Sequence, residues 1–212
     1  MTDTFDLIAT QRRVVADVLE TLTGDEWSSD TLCEGWRVQE MAAHLTMPFR
    51  VSNPKFFLGV IGAGGSIAKV MDRFAHSHSG EPPEQLIATL RDNAGSHFVP
   101  PTFPPVASLT EIVVHGFDIS IPTHRHVEMP EEVSRLVLDY LVSKKPGSVY
   151  TKRGLASDVR LTSTDSTWSW GMGPEVAGSN FGLIMMLARR PVGFDHVSGE
   201  GVDLIRRHLA MS

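Results

Sequence analysis

Thiols are scarce in this 212-residue chain: Cys33 is its only cysteine, which excludes an internal disulfide and any multi-thiolate metal site. Basic excess is lacking too. Nineteen Lys and Arg against 25 Asp and Glu give a net charge of −6, so nothing recommends a nucleic-acid partner or an anionic membrane surface. The opening MTDTFDLIATQRRVV has neither the basic start nor the apolar core of a secretory leader, and a reducing cytoplasm is the expected compartment. The most apolar window, NPKFFLGVIGAGGSIAKVM, is broken by Gly59, Gly62, Gly64 and Gly65 and bracketed by Lys55 and Lys69. It reads as a partly buried helix or loop rather than a membrane span. Its GVIGAGG lacks the Gly-Lys-Ser/Thr ending of a phosphate loop and is at most a mobile wall of a pocket.

What remains is the composition of a globular protein, 42% hydrophobic and 21% charged, long enough to bury a sizeable core. Helical periodicity dominates the first part. Thr4 can cap a helix running to about Leu22, and "RVQEMAAHLT" forms a second that ends before Pro48. A third covers part of 55–76, and "EQLIATLRDNAGSHF" is a fourth. After the extended "VPPTFPP", Ser108 and Glu111 stand in capping-box spacing before a Val/Ile run, and Pro130 opens another helix. Beyond "KKPGS" the pattern turns to short strands in "DVRLTST", "STWSWGMG" and "EVAGS". A helix "NFGLIMMLARR", a strand in "GFDHVSG" and a last helix "GVDLIRRHL" follow. The expected architecture is mainly α: a helical bundle over residues 1–148, then a small α+β domain over 149–212.

The chemistry sits in "EIVVHGFDIS". Glu111, His115 and Asp118 stand at i, i+4 and i+7, on one face of an otherwise apolar helix. Glu111 and His115 would turn a carboxylate and an imidazole toward a common point, and a stable metal site needs at least a third ligand. His44, inside the apolar stretch "EMAAHL", is the candidate. The plain alternative is a buried Glu111–His115 ion pair, with His44 bonded to a backbone carbonyl. The other histidines lack such partners; His76 and His78, like His124 and His126, read as solvated loop residues. Glu40 reads as a favourable charge in a helix's first turn, or as a residue orienting His44. Cys33 reads as a fourth ligand, a nucleophile or an inert thiol, and Trp27 and Trp36 as wedges holding their loop on the bundle.

"LCEGWRVQEMAAHL" (32–45), followed by "EIVVHGFDIS" (111–120) and the tail "WGMGPEVAGSNFGLIMMLARRP", resembles the mycothiol-dependent maleylpyruvate isomerase family of DinB-like metalloproteins. The resemblance spans nearly the whole chain and is weakest between about 50 and 100. It implies a DinB-like four-helix bundle holding one divalent ion, usually zinc, through His44, Glu111 and His115. Asp118 belongs to the family's helix motif without being a ligand there. The implied activity is that of an enzyme in which mycothiol, held at the metal as thiolate, adds to a small electrophile, giving isomerisation or S-transfer. An arginine of the family's C-terminal motif corresponds to Arg189 or Arg190, expected near the thiol. Two rivals use the same residues. One is a hydrolase with metal-bound water and Glu40 or Asp118 as base; the other is a DinB-like binding protein without turnover. Iron, nickel and manganese also accept these ligands. The sequence carries no signal for oligomeric state.

Overall fold

The computed structural model describes residues 2–99, 103–143, 150–151 and 154–210. They form two compact units, Met1–Glu128 and Met129–Ser212. The boundary expected near residue 148 lies outside the described residues.

In the first unit, α1 (Thr4–Glu20) is capped by Asp3, not Thr4: the Asp3 carboxylate accepts from the Phe5 N–H at 3.1 Å. Then α2 spans Val38–Arg50, running through Pro48 rather than stopping before it. The single helix expected within 55–76 is two, α3 (Asn53–Gly62) and α4 (Ile67–His78). Gly64 and Gly65, at φ 67° and 85°, turn the chain between them through a conformation that favours glycine. His76 and His78 therefore lie on α4, not in a loop; the His78 ring stacks on Phe74 at 4.0 Å. Next come α5 (Pro83–Asp92) and α6 (Pro105–Ser120). Pro105 takes the first helical position of α6, where a missing N–H costs nothing, so the helix starts ahead of the Ser108–Glu111 spacing.

The bundle is α1, α2, α5 and α6, with α4 packed on α2 and α3 on α4. Its core includes Ile8, Val15, Leu19, Met41, Leu86, Leu90, Leu109 and Val113, each at most 1% exposed. At Gly116 a side chain would meet Val15 Cγ2 at 2.9 Å, so glycine sets the close approach of α1 and α6.

The second unit opens with α7 (Glu131–Leu141). Its sheet is β1 (Arg160–Ser163), β2 (Ser169–Gly171), β3 (Glu175–Gly178) and β4 (Val197–Ser198), in the order β2-β1-β3-β4. The central β1 and β3 are parallel, with Leu161 opposite Val176; both outer pairs are antiparallel. Between β3 and β4 run α8 (Asn180–Leu187), nearly all buried, and a 3-10 helix Pro191–His196 over most of the stretch expected as a strand; α9 (Val202–Ala210) closes the unit. The architecture is thus mainly α with a small C-terminal α+β part, as the sequence suggested. No helix among the described residues is long and apolar enough to cross a membrane.

Candidate metal centre

The site is built by α2 and α6. The apolar residues of α6 are buried on all sides: every residue from Ile112 to Ser120 is in the interior. Glu111 enters that interior with its side chain 18% exposed, and His115, one turn on, is 8% exposed. From α2, His44 at 3% points its Nε2 to Glu111 Oε1 at 3.1 Å. The His44 and His115 rings meet edge to face, centroids 5.2 Å apart. One ligand atom from each of His44, Glu111 and His115 lies within 4.8 Å of the other two, the one such group of metal-binding side chains among the described residues.

The arrangement departs from a plain Glu111–His115 ion pair. Glu111 meets His44, while His115 Nδ1 donates to Asp118 Oδ2 at 2.9 Å. Fully buried and one turn on, Asp118 fixes the tautomer and leaves Nε2 as the lone-pair nitrogen of His115. His44 does not bond a backbone carbonyl; its Nδ1 is buried with no hydrogen-bond partner. An imidazole held that way is costly as mere core. As a donor set, two imidazoles and a carboxylate suit a divalent ion. A tetrahedral ion with bonds of about 2.0–2.2 Å keeps its ligand atoms roughly 3.4 Å apart, so the three side chains need to close by little more than an ångström.

Burial would raise the Glu111 pKa, but the hydrogen bond from His44 and the charges of His44, His115 and Arg12 outweigh it and hold Glu111 below the usual carboxylate value. Burial pushes His115 below its ordinary value, against the pull of Asp118. Both shifts favour the deprotonated forms of Glu111 and His115.

Glu40 serves its own helix. Its carboxylate accepts from the Arg37 N–H at 3.0 Å and from the Arg37 guanidinium at 2.9 and 3.1 Å. Desolvation opposes ionisation, yet these bonds bring its pKa to about 2. Cys33 is half-buried in the loop before α2 and is not part of the three-residue cluster. In that loop Trp36 does more than wedge: its ring lies 4.8 Å from the His44 ring, and its Nε1 donates to Asp72 on α4 at 3.0 Å.

Arg189 and Arg190 lie in the second unit, where they end α8. Arg189 takes φ 62°, and the Arg189 and Arg190 N–H groups close onto the carbonyls of Met186 and Met185. Arg189 Nε donates to the Tyr150 carbonyl at 3.3 Å, and Arg190 Nη1 to that of Ala188 at 3.3 Å.

Two residues of the site's surroundings escaped the sequence reading. Arg12 is 5% exposed, its Nη1 donating to the carbonyls of Ala94 and Ser96 at 2.9 and 2.8 Å. Desolvation lowers its pKa to about 10 while the charge of Glu111 raises it, so it stays a cation. The signal was a charged residue on the stripe of Ile8, Val15 and Leu19. Asn53, at the start of α3, lines a cavity of about 50 Å³ together with His44 and Glu111. Nothing in its sequence context marks it.

Residues 8–99 match the family model for the mycothiol maleylpyruvate isomerase N-terminal domain, a span that includes His44 and stops short of Glu111 and His115. No curated protein matches the chain. Among solved structures, a mycothiol-dependent maleylpyruvate isomerase is similar with a TM-score of 0.66, and a histidine-to-alanine mutant of such an isomerase with 0.65. Each is 15% identical in sequence, with 93% of this chain and 91% of the other covered. At that identity the likeness bears on fold. The chain therefore carries the N-terminal domain of the mycothiol maleylpyruvate isomerase family, and it has the fold of such isomerases over nearly its whole length.

Proposed function

We propose that this chain is a mycothiol-dependent enzyme that binds one divalent ion, most simply zinc, through His44, Glu111 and His115. The observation that carries the reading is the convergence of those three side chains in a chain with this family's N-terminal domain. Zinc with three protein ligands has a position for a thiol and holds it as thiolate.

The chain's own residues do the rest. Glu111 supplies one negative charge, and Asp118 orients His115 through its Nδ1–H. Trp36 backs the His44 ring, and the apolar walls keep water from the reacting atoms. The thiolate sulfur bonds to the β-carbon of an activated double bond, and the electron pair moves to the carbonyl oxygen. Rotation about the now single bond, return of the pair and loss of the thiolate give the geometric isomer with no net change in atoms. Where the carbon carries a leaving group, that group departs with the pair and a thioether remains, which is S-transfer. Arg189 and Arg190 are the cations proposed to hold the thiol's polar body, in a reducing cytoplasm. Hydrolysis with metal-bound water would need a carboxylate base, but Glu40 is engaged by Arg37 and Asp118 by His115.

The test is elemental analysis of purified protein, followed by turnover with and without mycothiol. About one ion per chain is expected, lost in His115→Ala; in Asp118→Asn, metal affinity should fall roughly 10- to 100-fold. Protein that cannot be loaded with any divalent ion, or loaded protein equally active without thiol, would sink the reading.

A further inference from the structure

The cavity over the three candidate ligands is walled by residues of one chemical kind. Besides His44 and Glu111, the described residues that line it are apolar, including Met47, Phe56, Met71 and Phe98, with a single additional polar residue, Asn53. No cation is among the described residues that line it. Arg12, whose charge reaches Glu111, is outside the lining and directs its Nη1 to backbone carbonyls. Two buried polar atoms of residues that line it, His44 Nδ1 and Asn53 Oδ1, have no hydrogen-bond partner. An amide oxygen shielded from water and left so is costly, by roughly 1–3 kcal/mol. That cost is recovered when a bound molecule completes the bond.

Charge arithmetic points the same way. A divalent ion's two positive charges would be cancelled by the Glu111 carboxylate and one thiolate. A dicarboxylate such as maleylpyruvate would then enter an apolar cavity whose described lining holds no cation to receive it, at a large desolvation cost. An uncharged molecule meets no such penalty. The side chains of Met47 and Met71 adapt to varied apolar shapes. Asn53 can offer its oxygen or, with the amide turned over, its NH2 group, so it can bond an N–H or a carbonyl.

We propose that the electrophile of this chain is uncharged, its apolar body set against Met47, Phe56, Met71 and Phe98 and its one carbonyl or amide group hydrogen-bonded by Asn53. This rests on the thiol-dependent reading above and adds the class of substrate.

The experiment compares an ester with its dianion on the zinc-loaded protein. With mycothiol, isomerisation of dimethyl maleate and of maleylpyruvate is measured over the uncatalysed rate. The ester should be favoured at least about tenfold in kcat/KM, as expected where a buried charge is refused. In parallel, calorimetry measures binding of unreactive dimethyl succinate and succinate without any turnover. The neutral compound should bind better, and Asn53→Ala should weaken its binding about five- to tenfold, the loss of one buried hydrogen bond. Preference for the dianion in either assay overturns the substrate class. Unchanged binding in Asn53→Ala overturns the role of Asn53, whose amide would then bond only water. Absence of thiol-dependent turnover alongside selective binding of dimethyl succinate would instead sink the enzyme reading, with the electrophile it needs, and leave only the cavity's preference for an uncharged ligand standing.

Discussion

Two helices of the first unit, α6 and α3, are both rich in apolar residues and treat them in opposite ways. From Ile112 onward α6 is buried to its last residue, although it carries Glu111, His115 and Asp118. In α3 no residue is buried, and Phe57, Leu58 and Ile61 are 51%, 69% and 73% exposed. Apolarity alone does not decide burial; neighbours do. The ligand-bearing helix has α1 and α2 against it, whereas α3 packs chiefly on α4. Yet both reach the same cavity, α6 with Glu111 and α3 with Asn53 and Phe56. One wall of the site is held by the core and the other rests lightly on it.

The same substitution placed on each helix measures that difference. Leu109 on α6 is fully buried, and Leu109→Ala removes a side chain from a packed interior that cannot fully collapse around the gap. A loss of about 2–5 kcal/mol is expected in denaturant unfolding of the metal-free protein. A loss below about 1 kcal/mol, well under the usual range, would mean that α6 is not the rigid side.

The polar stripe of α6 makes a smaller, pH-dependent contribution. Burial holds the His115 pKa below the ordinary 6.5, so the unfolded chain binds a proton more readily than the folded one. Metal-free protein is therefore expected to keep its stability above pH 6.5 and to lose it as pH falls from there toward the folded-state pKa. One proton of difference gives a slope of at most about 1.4 kcal/mol per pH unit. Unfolding free energies measured between pH 7 and 5 check this. His115→Gln should flatten the slope, and an equal slope in that variant would place the acid sensitivity elsewhere.

The order of most elements was legible in the sequence, because periodicity, proline and glycine act locally; several of their ends were not. The run "EIVVHGFDIS" announced a helix with one polar face, and "RVQEMAAHL" a second with His44 turned inward. Pro48 was misread because a proline within the last turn of a helix need not stop it. The division of 55–76 was lost in the glycines, which can serve a helix interior or a turn equally well. Within the site, Glu111 and His115 were visible as a pair because a helix fixes their spacing. Trp36 against His44, the charge of Arg12 acting on Glu111 and Asn53 in the cavity were not. Each of these meets the site from a different segment, and no local pattern encodes where separate segments come together.

The smallest expected effect is at Leu58. Its side chain stands 69% exposed on α3, a helix with no residue in the core, so Leu58→Ala neither opens a cavity nor removes buried area of consequence. Alanine is also at least as good a helix former. Stability should change by no more than about 0.5 kcal/mol, an order of magnitude below the largest loss expected at Leu109. The thermal midpoint would then move by less than about 2 °C for a chain of this size. A loss above about 1 kcal/mol would show that the exposed side of α3 is covered in solution. Dilution separates the two ways that can happen: an effect that grows with protein concentration reports a second copy on α3, and one that does not reports closure of α3 onto its own chain.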